Sequence, residues 1–358
     1  MTGSGVTGSG SPGSGVPGAE LRGSDVTGSG ETDALRATGV PLIDLRRWRS
    51  GDERTRAELA GELDRALCES GFLLLDGHGI GSEPREQVRA AARRFFALPA
   101  TAKAAYATPV GGRGWLPPGQ EANAFYGEQA DPDRADLKES YTLGRNFSTG
   151  DPGQDALWFA PNVWPAEVPE LATRCDDYAD AVRRVYAELL EVCAVALGLA
   201  PDWFVRRAGR SPHTFNINRY PPRRETGTPR DGQFRIAPHT DWGMITILDR
   251  QVGYGGLQIQ ARDGSWLDAP HVDGCFTINI GDLMARWTGD RWRSTRHRVL
   301  PPPAESPGEE LISLIMFLEA DVDTLVAPLE PPVGPRQDYP PVRWGDYLLE
   351  RAGAANVS

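Results

Sequence analysis

TFNINRYPP (214–222), MITILD (244–249), GGLQIQARDGSWLDAP (255–270), CFTINIGDLM (275–284), STRHRVLPPP (294–303) and ELISLIMFLEAD (310–321) follow one another with Gly, Pro or Asp at the joints. Each carries a short strand's worth of alternating or continuous apolar residues. Closely spaced strands of this kind predict an antiparallel sandwich or barrel. The second half of the chain should therefore be a jelly-roll.

Upstream, the periodicity changes from two to 3.6. VPLIDL (40–45) suits a short strand. Residues 54–70 then place Leu59, Leu63, Ala66 and Leu67 on one helical face, with Gly71 as a stop. GFLLLDGHGI (71–80) reads as a buried strand, and a helix beginning near Pro84 buries Val88, Ala92, Phe95 and Phe96. Residues 107–170, rich in Gly, Pro, Asp and Asn, read as mostly irregular, and a long amphipathic helix covers 172–199. PVRWGDYLLERAG (341–353) predicts a closing helix. Helices first and a jelly-roll after them make an α+β fold.

Residues 1–38 differ from the rest: they hold 10 of the 41 glycines, and the string VTGSG occurs twice. So little apolar area cannot offset the entropy of ordering, so a disordered tail is expected. The 358 residues carry 38 Lys and Arg against 49 Asp and Glu, a formal net charge of −11. That balance argues against a nucleic-acid surface and against an anionic membrane. No apolar run approaches the ~20 residues of a spanning helix, and no secretory signal is visible. Cys68, Cys175, Cys193 and Cys275 lack metal-ribbon spacing, so free thiols in a reducing cytoplasm are expected.

The chain has five histidines: His78, His213, His239, His271 and His297. His239 and Asp241 stand two apart in PHTDWG (238–243), where strand alternation would send both to one face. His297 in STRHRV follows 58 residues later. Two imidazoles and a carboxylate on one side of an ion suit non-haem Fe(II) and oxygen. On spacing alone, the alternative is a surface turn and an unrelated histidine.

The surrounding motifs extend this reading. VPLIDL, CESGFLLLDGHGI, FFALPATAK, RGWLPPG, DLKESYTLG, FNINRYPP, NIGDLMARWTGDRWRSTRHRV and DYLLER together resemble the isopenicillin N synthase-like family of Fe(II) oxygenases, most of which use 2-oxoglutarate. The resemblance covers roughly Val40 to Gly353. It implies a double-stranded β-helix (jelly-roll) core with flanking helices. Residues 39–150 would form the family's N-terminal region. Residues 151–358 would form a helix plus catalytic domain, with the barrel at about 212–325 and a closing helix. His239, Asp241 and His297 would bind iron, with no catalytic residue beyond these ligands. Asn218, Tyr220 and Ser313 would contact the 2-oxoglutarate co-substrate, and His78 would be structural.

One position departs from the pattern. Relatives carry Arg-x-Ser on a late strand to hold the distal carboxylate of 2-oxoglutarate; here Leu311-Ile312-Ser313 stands there. A guanidinium grips a carboxylate through two parallel charged hydrogen bonds, and a buried carboxylate without its partner costs about 2–5 kcal/mol. Arg235, Arg286, Arg296 and Arg298 are near enough in sequence to reach inward from another strand. Three readings follow. In the first, 2-oxoglutarate binds through a substitute cation and a small molecule is hydroxylated, desaturated or cyclised, as in antibiotic biosynthesis. In the second, the enzyme uses another keto acid or electrons from the substrate itself. In the third, the fold is a non-catalytic metal-binding scaffold, and His297 should point away from His239 and Asp241.

The partners implied are a small-molecule substrate and O2, and a monomer is the default. A lid from residues 107–147 is expected over the barrel mouth, with Trp115, Phe125 and Tyr126 as candidate apolar contacts. Trp242 is expected to point away from the metal.

Overall fold

The computed structural model describes residues 38–120, 134–330, 333 and 337–355. The expected tail lies outside these residues but for Thr38, as do Phe125 and Tyr126. Asp52 caps the first long helix, α1 (Glu53–Glu69), accepting from the Thr55 amide at 2.8 Å. Leu59, Leu63, Ala66 and Leu67 fall on one face and are buried. Gly71 ends the turn with φ +73°, and a Cβ there would sit 2.1 Å from the Arg293 carbonyl oxygen. Only glycine fits both the backbone angle and the approach. Helices α2 (Ser82–Phe96) and α1 pack against the long α3 (Glu170–Ala196), and α4 (Trp344–Ala355) closes the chain.

The strands are β1 (Leu42–Asp44), β2 (Phe72–Asp76), β3 (Gly114–Leu116), β4 (Glu139–Gly144), β5 (His213–Tyr220), β6 (Ile236–His239), β7 (Ile245–Asp249), β8 (Leu257–Gln260), β9 (Trp266–Asp268), β10 (Phe276–Ile280), β11 (His297–Val299) and β12 (Leu311–Leu318). They form an eight-stranded sheet ordered β1-β2-β10-β7-β12-β5-β4-β3 and a four-stranded sheet ordered β6-β11-β8-β9. From β5 onward the chain winds alternately through the large and the small sheet, which is the expected double-stranded β-helix. Helices cover the outer face of the large sheet, where one hydrophobic cluster sits. A second, containing Phe72, Tyr220, Ile236, Leu257, Val299 and Leu311, fills the space between the sheets.

Two expectations are refined. Most described residues of 107–170 are irregular, as expected, but this stretch also holds β4, which pairs with β5 over six residues, from Glu139 opposite Arg219 to Gly144 opposite Thr214. All six β4 residues are buried. With both faces covered, ESYTLG shows no alternation to betray a strand. The second concerns 275–284, where the strand stops at Ile280 and Asp282–Trp287 is a short helix.

Register across β5, β12 and β7 lays the inner face out in rungs. Thr214, Phe317 and Thr246 share one rung; Asn216, Ile315 and Leu248 share the next. Asn218 then pairs with Ser313, and Tyr220 with Leu311. Asp249 ends β7 on the opposite face. Its buried carboxylate accepts from Arg85 Nε and Nη2 at 2.8 and 2.9 Å and from Arg89 Nη2 at 2.7 Å, tying α2 to the sheet. Removing it would leave buried Arg85 without a carboxylate and Arg89 with only the exposed Glu86. Asp249→Ala is expected to lower stability by about 3–5 kcal/mol in urea unfolding. Glu58→Ala, which breaks only the exposed Arg54–Glu58 pair, should leave the midpoint unchanged.

Candidate metal centre and its cavity

His239 is the last residue of β6 and lies directly across from His297, the first residue of β11. Each ring is oriented by a backbone carbonyl two residues earlier: Ala237 oxygen lies 2.8 Å from His239 Nδ1, and Thr295 oxygen 3.1 Å from His297 Nδ1. A carbonyl can only accept, so Nδ1 carries the proton and Nε2 presents its lone pair. Asp241 arrives differently from the strand alternation expected for it. β6 stops at His239, and the irregular segment that follows it carries the carboxylate. Its Oδ2 accepts from Thr246 Oγ1 at 2.5 Å and from Asn279 Nδ2 at 2.7 Å. Its Oδ1 is left facing the two rings, 3.6 Å from His239 Nε2 and 3.8 Å from His297 Nε2.

Among the described residues this is the one group of three His, Cys, Asp or Glu with metal-binding spacing, its donor atoms all within 4.8 Å of one another. Burial, and then the charge of neighbouring His297, pushes the His239 ring down to about 3, so it is neutral as a ligand must be. Burial opposes charge on Asp241, but His297, His239 and the bonds from Thr246 and Asn279 hold its carboxyl below the usual range. Two neutral nitrogens and one carboxylate oxygen, each with its other polar atom already bonded, fit a ferrous ion. His297 points at the other two ligands, contrary to the scaffold reading.

The three ligands line a cavity of about 300 Å³ between the sheets. One wall is polar, with Lys138, Thr214, Asn216 and Asn218; Phe72, Trp242, Ile315 and Phe317 form apolar surface. Lys138 donates to Ser140 Oγ at 3.0 Å, and Ser140 donates to Asn218 Oδ1 at 2.8 Å. Burial pulls the Lys138 ammonium down to about 7. Glu319 also lines the cavity, its carboxyl raised well above the carboxylate range by burial and by Asp241.

Asn218 and Tyr220 line this cavity, and Ser313 stands beside Asn218 across the β5–β12 ladder. Trp242 lines it as well, contrary to expectation, because the strand alternation used to turn it away ends at His239. Trp115 belongs to the core under the helices, and its indole donates to Glu139 at 2.7 Å, so it is not a cavity contact. His78 stacks on Phe276 with ring centroids 3.9 Å apart, and its Nε2 lies 2.8 Å from the Gly274 carbonyl oxygen, a structural placement. Of the arginines weighed against Leu311, Arg286 donates to the Pro340 carbonyl and Arg298 lies on Trp266, while Arg235 pairs with Glu309 at 2.8 Å. Lys138 was not legible as a cavity residue, because its strand neighbourhood was not.

Residues 40–167 match the family described as non-haem dioxygenase in morphine synthesis, N-terminal, and residues 212–319 match the 2OG-Fe(II) oxygenase superfamily. The chain is 40% identical over 316 residues to the validamycin A dioxygenase of Streptomyces hygroscopicus subsp. limoneus, covering 87% of this chain and 85% of that one. It is 33% identical over 270 residues to a 2-oxoglutarate-dependent dioxygenase of Aspergillus niger, covering 73% and 79%. Among solved structures, full-length Neurospora crassa T7H in complex with alpha-KG and thymine superposes with a TM-score of 0.76 at 28% identity, covering 88% of this chain and 96% of that one.

The bonds to Asp241 Oδ2 generate a prediction. Thr246→Val and Asn279→Ala should each weaken Fe(II) binding about 10- to 100-fold in anaerobic titration, while the folded far-ultraviolet spectrum persists.

Proposed function

The chain belongs to the 2OG-Fe(II) oxygenase superfamily, and from that premise we propose that it oxidises a small, hydroxyl-bearing molecule of secondary metabolism. Fe(II), when bound, activates O2 and couples the decarboxylation of 2-oxoglutarate to oxidation of the substrate. In this reading His239, Asp241 and His297 hold the ion through Nε2, Oδ1 and Nε2. Asn218, Tyr220 and Ser313 hydrogen-bond the co-substrate's carboxylates. Lys138, Thr214 and Asn216 offer hydrogen bonds to substrate oxygens, while Trp242 and Phe317 pack on its carbon skeleton and keep water from the reacting face.

The observation that carries this proposal is the convergence of those three donors in the wall of a cavity whose other side is a row of polar side chains. A hydrocarbon substrate would leave Asn216 Oδ1, which is buried and has no hydrogen-bond partner among the described residues, unanswered. The likeness to validamycin A dioxygenase supports the same class. The four cysteines are free thiols, three of them buried, which supports a cytoplasmic site of action. Among the described residues no helix is long and apolar enough to cross a membrane.

The test is O2 uptake and succinate formation by the Fe(II)-loaded protein with 2-oxoglutarate and a panel of cyclitols, aminocyclitols and hydroxylated aromatic metabolites. A cognate compound should raise 2-oxoglutarate turnover about tenfold or more over the substrate-free rate. His297→Ala should abolish it. Stimulation by purely apolar compounds alone would overturn the substrate class.

A further inference from the structure

Leu311 leaves open what answers the distal charge of 2-oxoglutarate, a dianion. Arg250 lies next to that position in space. The ladder between β7 and β12 ends at Asp249 opposite Leu314; carried one residue beyond that end, its register sets Arg250 at the rung that Asn218 and Ser313 share. Strand alternation sets its direction. Asp249 faces the helices, where Arg85 and Arg89 hold it, and Leu248 lines the cavity, so Arg250 turns inward with Leu248. Its Nη1 crosses toward the small sheet and donates to the Ala269 and Pro270 carbonyls at 3.3 and 3.0 Å.

The charge state separates Arg250 from its neighbours. Arg85 and Arg89 pair with Asp249, Arg219 with Glu139, and Arg235 with Glu309. Arg250 is buried; Asp268 favours its charge from a distance, but among the described residues no carboxylate hydrogen-bonds it. Burial pulls its guanidinium down to about 10, which leaves it cationic at neutral pH. A buried cation bonded only to carbonyls is costly unless an anion joins it. Its rung stands two rungs from Thr246 and Asn279, the residues that hold Asp241. That is about 13 Å along the strand, a span for a five-carbon diacid on the metal plus an extended arginine side chain.

Resting on the reading of the cavity as a 2-oxoglutarate site, we propose that Arg250, on β7's end, is the residue that binds the distal carboxylate of 2-oxoglutarate. It replaces, from the adjacent strand, the arginine absent at Leu311. Ser313 and Tyr220 flank the same carboxylate. Leu311 belongs to the apolar cluster that includes Tyr220, Ile236 and Leu257.

The test measures binding, not turnover: anaerobic titration of the Fe(II)-loaded protein with 2-oxoglutarate and with 2-oxopentanoate, which lacks the distal carboxylate, followed by the visible metal-to-keto-acid band. Wild type should prefer 2-oxoglutarate strongly. Arg250→Leu should weaken 2-oxoglutarate about 30-fold or more, leave 2-oxopentanoate nearly unchanged, and keep Fe(II) affinity. The double variant Arg250→Leu with Leu311→Arg should recover most of the lost affinity. Arg235 lies over Tyr220 and pairs with Glu309 through Nη1 alone, so it is the competing position: Arg235→Gln should keep the preference, and loss of the preference there would overturn the assignment of Arg250. If Arg250→Leu does not fold, Arg250→Lys is the measured variant and should bind 2-oxoglutarate several-fold more weakly. Unchanged 2-oxoglutarate affinity in a folded, iron-loaded Arg250 variant would overturn the assignment of Arg250. No band in iron-loaded wild type would instead remove the 2-oxoglutarate reading beneath it.

Discussion

The register between β5 and β12 is the constraint on which this molecule depends. Eight consecutive pairs, from Tyr220 opposite Leu311 to His213 opposite Leu318, decide which side chains face the space between the sheets. Side-chain direction repeats every two residues, so a slip of one would turn Asn218, Tyr220 and Ser313 toward the helices. The same ladder places β7 on the other edge of β12. Through β7 it sets Thr246 under Asp241 and Asp249 against α2. Packing on the outer face thereby holds the geometry of the inner one.

The metal centre illustrates how little of a site is its ligands. The three donor atoms are aimed because their other polar atoms are occupied by the Ala237 and Thr295 carbonyls, Thr246 and Asn279. Those bonds are short, buried and made by residues on four different strands or turns. Burial also keeps His239 neutral and raises the Glu319 carboxyl well above the carboxylate range, while the neighbours of Asp241 lower its carboxyl below that range. One low-dielectric cavity thus shifts two carboxyls in opposite directions, through hydrogen bonding and neighbouring charge.

The departure at Leu311 shows a function detached from a motif position. What a diacid needs is a cation at the right depth, and a barrel offers that depth from several strands. An arginine arriving from β7 meets the same point as one from β12, because neighbouring strands lie about 5 Å apart. Leu311 then serves the apolar layer between the sheets.

Much of this was legible in the chain itself. Hydrophobic period and capping residues located α1, α2, α3 and the barrel strands, since those signals are local. The HxD pair, the distant histidine and the flanking motifs pointed to the three residues that the structure brings together with metal-binding spacing. Strand β4 was hidden, because residues buried on both faces show no alternation. The placement of Trp242 in the cavity was hidden too, because β6 ends at His239 and with it the period on which the prediction rested. Arg250 was invisible for a stronger reason: nothing in RQVGYGG says that its side chain lacks a carboxylate partner. Hydrophobic period and residue type were enough for the fold class and for naming His239, Asp241 and His297 as candidate ligands. Which buried arginines meet a carboxylate had to come from the folded chain: Arg85, Arg89 and Arg235 do and Arg250 does not, because pairing of buried charges depends on which strands become neighbours.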